Sequence, residues 1–370
     1  MKSFLIIGRP EDMHASYVRW ALETAGYKPT LINALPGNCP TRITLYLDEL
    51  SDDFTSREWD EAGAVWCRRL PRPPEPNHKG GEDEGFILME QCRFTKWLID
   101  LQESSTSIRW INRPTAIARA ENKLVQLKSA RAHGITVPRT LITADPGRFR
   151  AFLQTEGSVV AKPFVGYTWE YESGETFTTF ANTIDAKRGS KLSDEDIAQC
   201  VTIYQQRIDK VADIRMVIMG QDVFTYKVIQ SGEQHFDYRI GFYKNDHLTY
   251  EAISIPASLK KQMIRFMASV NVNFASADFA LTSDGEFAFL DLNPSGQWLF
   301  LEHSSPETKV GQKFCSFFVM GRVDPDVEKL FPSYSEYLDS SEIRSVHEAF
   351  QQRLAGDISA PNLWKETKVS

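Results

Sequence analysis

Phe4-Leu5-Ile6-Ile7, closed by Gly8, is followed by a stretch from Ala15 to Ala25 with helical apolar spacing, and then by Thr30-Leu31-Ile32-Asn33. A short apolar run, an amphipathic segment halted at Gly26 and a second apolar run make a βαβ unit. Such a unit returns the chain to the same sheet edge in the same direction, so the opening commits the protein to a parallel sheet. Ala64-Val65-Trp66-Cys67 is a further candidate strand, and Arg42 to Leu47 alternates polar and apolar residues. Pro71, Pro73, Pro74 and Pro76 mark a stiff surface connection. The glycines that follow do not make a phosphate loop, because Glu82, Asp83 and Glu84 between Gly81 and Gly85 would repel a phosphate. Phe86 to Gln102 and Ala116 to His133, the latter stopped by Gly134, have helical spacing.

Near residue 112 the texture changes. Thr140–Thr143 and Ser158–Lys162 are strands around a helix at Pro146–Gln154, and Val165–Ile184 has the threonines, aromatics and glycines of a loop and hairpin. An acidic turn at Asp194 suits a helix N-terminus. Strands then dominate at 202–208, 213–219, 222–229, 235–239 and 248–253, with a helix at Ala257–Val270 before a last hairpin turned by Asp284-Gly285.

Composition narrows the function. With 42 basic and 49 acidic residues in 370, a net charge of −7, the chain is not a coat for nucleic acid or a membrane surface. The apolar run before Gly8 is too short for a signal peptide's core, and no stretch reaches membrane-span length, so a cytoplasmic protein is expected. Five scattered cysteines without a CxxC pair and seven histidines without an HxH or HxxxH encode neither a disulfide scaffold nor a zinc site.

The pattern richest in chemistry is the last hairpin, Ser276-Ala277-Asp278-Phe279-Ala280-Leu281 and Phe289-Leu290-Asp291-Leu292-Asn293-Pro294. Asp278, Asp291 and Asn293 stand on facing strands, and Asp291 and Asn293 share a face by the two-residue repeat. Three hard oxygen donors that converge suit magnesium, which takes one or two carboxylates and keeps sites for phosphate and water. The plainer reading is a polar face of an antiparallel pair, but Phe279, Phe289 and Leu292 set the acids beside buried positions, where unpaired carboxylates are costly. Lys162 ends an apolar strand before Pro163, and Lys123 lies in a helix, where alone it reads as a solvated lysine. Tyr204-Gln205-Gln206-Arg207-Ile208 is an extended segment able to offer backbone groups to an adenine, and Arg215 on the next strand can stabilise developing charge.

In this order the pieces resemble the ATP-grasp fold over about residues 112–305, with the βαβ region similar to the domain that precedes it. Asn293-Pro294-Ser295-Gly296-Gln297-Trp298 resembles the signature of the graspetide (microviridin-type) synthetases, and Trp110–Pro114, Ala120–Leu124, Val137–Ile142 and Phe236-Asp237-Tyr238-Arg239 agree. The resemblance implies an α/β chain with α+β subdomains: an N-terminal domain at 1–111, a central subdomain with lid and hairpin at 112–190, a C-terminal subdomain at 191–325 and a helical tail at 326–370. It implies an ATP-dependent ligase that phosphorylates Asp or Glu side chains of a ribosomal precursor peptide. Ser or Thr hydroxyls or Lys amines then displace the phosphate, giving macrolactones or macrolactams.

Carried onto this chain, Lys123 and Lys162 meet ATP phosphates, Gln205, Gln206, Arg207 and Ile208 the adenine, and Asp278, Asp291 and Asn293 two Mg2+ ions. Arg215 stabilises phosphoryl transfer, Arg239 orients the core-peptide carboxylate and Asp237 helps receive the nucleophile's proton. Asp237 and Arg239 are expected on one face of a strand, where a simple cross-strand ion pair is the alternative. Two departures stand out: Asp291 replaces the usual Glu, and Gln206-Arg207 replaces an acidic-aromatic pair. The Tyr171–Ile184 hairpin with the helix from Asp194 resembles the region that clamps the leader peptide, with an ATP lid as the alternative. Competing functions are an intermolecular carboxylate–amine ligase and a silent ATP- or peptide-binding subunit. A homodimer is expected, and the stripe Ile343, Val346, Phe350 and Leu354 packs on its own domain or across that dimer.

Overall fold

The computed structural model describes residues 3–33, 62–70, 83–103, 108–164, 168–170, 176–231, 235–243 and 247–344. The opening forms as expected: β1 (Ser3–Gly8), α1 (Met13–Thr24) and β2 (Pro29–Asn33), with β3 (Ala62–Cys67) and β4 (Arg109–Ile111) completing an all-parallel sheet in the order β2-β1-β3-β4. Asp12 starts α1 by accepting hydrogen bonds from the His14 and Ala15 N–H groups at 3.0 and 3.1 Å, the usual repair for unpaired donors at a helix start. A long helix, α2 (Glu84–Glu103), precedes β4. The expected strand at Arg42–Leu47 and the proline-rich connection lie outside the described residues, except Leu70 at its margin.

The helix expected over Ala116–His133 is two helices, α3 (Pro114–Glu121) and α4 (Lys123–Ala132). Asn122 breaks it: in extended conformation, its side chain accepts from the Leu124 and Val125 N–H groups and caps the second helix. Lys123 therefore opens a helix rather than sitting inside one.

Two antiparallel sheets follow. The smaller has the order β5-β10-β6-β9, from β5 (Thr140–Thr143), β6 (Ser158–Lys162), β9 (Asn182–Asp185) and β10 (Thr202–Gln206). One face packs on α5 (Pro146–Glu156) through Phe149, Leu153, Val159 and Tyr204. Because β10 lies between β5 and β6, the expected boundary after residue 190 cuts through this sheet, which runs on to Gln206. The expected hairpin is a small ribbon of β7 (Thr168–Glu170) and β8 (Thr176–Thr178), followed by β9, a short helix α6 (Ala186–Gly189) and α7 (Asp194–Ala198).

The larger sheet has the order β13-β12-β11-β14-β15, from β11 (Lys210–Met219), β12 (Asp222–Ser231), β13 (His247–Ala252), β14 (Phe274–Thr282) and β15 (Phe287–Asn293). Even-numbered residues of β11, Ile214, Met216 and Ile218, pack with Met263, Phe266 and Met267 of the 257–269 helix. On the other face Val217 and Met219 join a core shared with β1, α1 and the 310–320 helix, whereas Asp213 lines a cleft and Arg215 pairs with Asp278 beside it. That core also takes in Phe331, Tyr334 and Tyr337, so the described part of the expected helical tail is packed into the N-terminal domain. Ile343 packs there too, and the rest of its stripe lies outside the described residues.

Candidate active site

The cleft lies between the two sheets and has a volume of ≈ 240 Å³. From the smaller sheet, Val160, Lys162, Ile203 and Gln205 line it, because alternate residues of β6 and β10 face away from α5. From the larger sheet come Lys210, Asp213, Asp278, Ala280, Leu290 and Asp291, with Lys123 from the start of α4.

The hairpin solves a parity conflict. Phe289 and Asp291 are two residues apart and would share a face, yet Phe289 is fully buried against Phe279 while Asp291 lines the cleft. The pairing shifts between Asp278 and Phe279, so Asp278 opposes Asp291 while Phe279 opposes Phe289, leaving Leu290 as an extra residue. This bulge turns the acid outward while the aromatic stays in the core. It also frees the Leu290 carbonyl to accept a hydrogen bond from Lys162 Nζ at 3.4 Å.

Asp278 lies between Arg215 and Asp291 in register across three strands. Arg215 NH1 donates to both Asp278 carboxylate oxygens, at 2.9 and 3.0 Å, and NH2 donates to the Gln297 carbonyl at 2.8 Å. Lys123 Nζ pairs with Asp291 Oδ1, which also accepts from the Leu292 N–H at 2.9 Å. Asn293 sits two residues on, opposite Ser276, and its amide oxygen accepts from the Ser295 N–H at 3.0 Å. Among the described residues no group of three or more His, Cys, Asp or Glu side chains is arranged for a metal. The donor set here is two carboxylates and an amide oxygen. Directly opposed carboxylates repel unless a cation stands between them or beside them. Oxygen-only donors with two facing acids fit Mg2+, and Arg215 and Lys123 supply the balancing charge otherwise.

Burial lowers the Lys162 pKa to about 8, with Lys123 adding repulsion and Asp291 opposing it. Two cleft residues escaped the sequence reading. Lys210 Nζ donates to Asp213 Oδ1 at 2.6 Å and to the Phe236 carbonyl, and lies 4.7 Å over the Phe236 ring. Burial raises the Asp213 pKa to about 6 despite Lys210, and its Oδ2 is buried without a partner. Asp213 lies two residues before Arg215 on the same strand face, a signal the sequence did carry.

At the hinge, the Gln206 N–H donates to the Arg139 carbonyl at 2.8 Å and the Arg207 N–H to that of Ser158 at 3.3 Å. The Arg207 side chain leaves the cleft lining and packs over Phe236 at 5.7 Å. Gln205 Nε2 donates to Thr140 Oγ1 at 3.1 Å, and its Oε1 is buried and unpartnered.

Asp237 and Arg239 are not on a strand. Asp237 precedes a helix, α8 (Tyr238–Tyr243), and its Oδ1 accepts from the Arg239 N–H at 3.1 Å, the turn that starts the helix. The alternating Phe-Asp-Tyr-Arg pattern imitates a strand, but this side-chain turn wins locally. The two side chains still pair in fork fashion at 2.8 and 2.5 Å. Burial works against an ionised Asp237, but Arg239 outweighs it and holds the carboxyl below its usual range.

No protein-family model matches the chain, and no curated protein matches it by sequence. Solved structures do. The macrocyclase MdnC of Microcystis aeruginosa, bound with precursor peptide MdnA, is similar with a TM-score of 0.70 at 22% identity, over 86% of this chain and 99% of that one. A Chryseobacterium gregarium RiPP-associated ATP-grasp ligase, in complex with ADP and a leader and core peptide, gives 0.70 at 19%, over 86% and 97%. The chain has the ATP-grasp fold. The macrocyclase MdnB of Microcystis aeruginosa is similar over 87% of this chain and 100% of that one, at 24% identity and a TM-score of 0.65. In ATP-grasp terms, the two sheets facing the cleft are the two halves of the fold. The bulged hairpin carries the acids, and β6 and β10 carry a lysine and the hinge. Among the described residues no helix is long and apolar enough to cross a membrane.

Proposed function

We propose that the protein is an ATP-dependent ligase that activates Asp or Glu side chains of a ribosomally made precursor peptide and joins them to Ser or Thr hydroxyls or Lys amines. The observation that carries this reading is one cleft lined by Lys123, Lys162 and the facing acids Asp278 and Asp291, with Arg215 paired to Asp278 and no Ser or Cys among the described lining residues. Such a site suits phosphoryl transfer to a carboxylate, where positioning and charge stabilisation do the work. Three proteins of similar fold are, by name, two macrocyclases, one of them bound with a precursor peptide, and an ATP-grasp ligase in complex with a leader and core peptide.

In this reading the adenine lies at the hinge. Gln205 Oε1 accepts from its amino group and the backbone at Ile208 faces it, while Gln206 and Arg207 support the hinge through bonds to neighbouring strands. Asp213, on β11 two residues before Arg215, accepts from a ribose hydroxyl through its free Oδ2. Lys162 and Lys123 hold phosphate oxygens. Asp278, Asp291 and Asn293 would hold Mg2+, which supplies charge neutralisation and a template for the phosphates. Lys123 then exchanges its carboxylate partner for phosphate.

Arg215 steadies the transferring phosphoryl group and the acyl phosphate. Arg239, at the cleft and 55% exposed, orients the incoming carboxylate, and Asp237 holds it and offers an acceptor to the attacking hydroxyl or amine. The β7–β8 ribbon and the edge strand β9 offer a docking edge for the leader peptide. Exposed Phe86, Ile87 and Trp97 on α2 support a homodimer, which light scattering tests.

The deciding experiment incubates the protein with ATP, Mg2+ and the peptide encoded beside its gene. Loss of one water per bond formed, with ATP turnover, is expected. ATP turnover that depends on a free amino acid, with peptide mass unchanged, overturns the intramolecular reading. Arg239→Ala should abolish ring formation, and full retention rejects the role given to it.

A further inference from the structure

A buried polar cluster from the N-terminal domain reaches the loop after Asn293. Arg68, at 1% exposure, donates from Nε to Asp12 Oδ1 at 3.0 Å and from NH1 to the Ser295 carbonyl. His14 Nε2 accepts from the Trp298 N–H at 2.9 Å and from the Leu299 N–H at 3.2 Å. These donors require a bare Nε2, while Nδ1 lies 3.4 Å from Arg68 NH2 and 3.9 Å from Asp12 Oδ1. Burial, with the Arg68 charge added, keeps the imidazole neutral by holding its pKa well below the usual value.

The Trp298 N–H and the Gln297 carbonyl belong to one peptide unit, and a peptide unit is planar. His14 holds the N–H on one side, and on the other the carbonyl accepts from Arg215 NH2 at 2.8 Å. A rigid plate held on one edge therefore sets where its other edge points. From this geometry we propose that His14, seated by Asp12 and Arg68, is a positioning residue: it orients the Gln297–Trp298 peptide and thereby aims the Arg215 guanidinium. The domain that lines none of the cleft among the described residues thus governs the aim of the arginine that pairs with the cleft's Asp278. Gly296 makes the loop's close approach feasible, since a Cβ there would lie 3.1 Å from the Asn293 carbonyl and closer still to the Ser276 side chain.

The test has two arms, and only the second rests on the proposed ligase reading. In the first, the arginine Nε–H resonances of the isotope-labelled full chain are recorded, with the Arg215 signal assigned by its loss in Arg215→Lys. His14→Ala should shift or broaden that signal, whereas His14→Gln, which keeps an acceptor near the Nε2 position, should restore it. An Arg215 signal unchanged in a folded His14→Ala overturns the proposal. If His14→Ala fails to fold, His14→Phe and His14→Gln are compared, and identical Arg215 signals in those two overturn it equally. In the second arm, His14→Ala should lower kcat for peptide condensation about tenfold or more with KM for ATP within twofold, and His14→Gln should recover most of it. Wild-type inactivity on the peptide would count against the ligase reading alone, while a parallel loss of ATP affinity and kcat that His14→Gln does not repair would reject the positioning role.

Discussion

Lys162 is held in the cleft at a cost to the free protein, and that cost is measurable. Burial pulls its pKa from 10.5 to about 8. Each unit is worth about 1.4 kcal/mol, so the charged lysine destabilises the empty fold by about 3 kcal/mol. The sign follows from proton binding. Below pH 8 both folded and unfolded chains hold the proton and the full penalty applies. Between pH 8 and 10.5 the unfolded chain binds more protons, so this group's contribution to stability rises with pH. Lys162→Met keeps most of the length of the side chain, removes the charge and gives up only a 3.4 Å hydrogen bond to the Leu290 carbonyl. The nucleotide-free variant should therefore melt several degrees above wild type at pH 7, with the difference shrinking toward pH 10. ATP affinity should fall by at least tenfold, and wild-type affinity should itself decline above pH 8. Differential scanning calorimetry at pH 7 and 9.5 with titration calorimetry for ATP reads all three. A Lys162→Met variant that melts at or below wild type at pH 7 refutes the reasoning.

Asp291→Asn should raise the Mg2+ concentration for half-maximal ATP turnover at least tenfold, and chelation should abolish turnover; unchanged Mg2+ dependence removes Asp291 from the metal set. Glu302 is buried, and its two carboxylate oxygens accept from the Gly311 and Tyr334 N–H groups at 2.7 and 2.9 Å. Glu302→Ala strands both donors and should cost about 2–5 kcal/mol. Glu302→Gln, with one acceptor left, should lose about half of that or less in the same denaturation series. Gly296→Ala should depress condensation far more than it depresses the melting temperature, because the clash with Ser276 and Asn293 displaces the loop that meets Arg215.

Local rules carried much of the fold into the sequence. The βαβ opening, the Asp284-Gly285 turn and the alternation in β10, β11 and β14 each obey a period read within ten residues, and each formed where expected. Local competition defeated the period elsewhere. Asn122 and Asp237 each bond backbone N–H groups two residues on, breaking one helix and starting another. The bulge at Leu290 is invisible to a two-residue count, yet the conflict between Phe289 and Asp291 was its signature. Of the site, Lys162, Asp278, Asp291 and Arg215 were legible because strand ends and facing strands bring them together. His14 and Arg68 were not, since nothing within 200 residues hints that their partners are Trp298 and Ser295.

The core that joins α1 to the helices at 310–320 and 334–339 sets a timetable for synthesis. Tyr17 donates its hydroxyl hydrogen to the Pro332 carbonyl and packs edge-on against Tyr334 and Tyr337. At ribosomal speeds of about 5–20 residues per second, α1 emerges some 15–60 s before those partners exist. Throughout that interval the apolar face of α1 lacks part of its final cover. Slow translation of the last third therefore lengthens the time α1 spends without these partners.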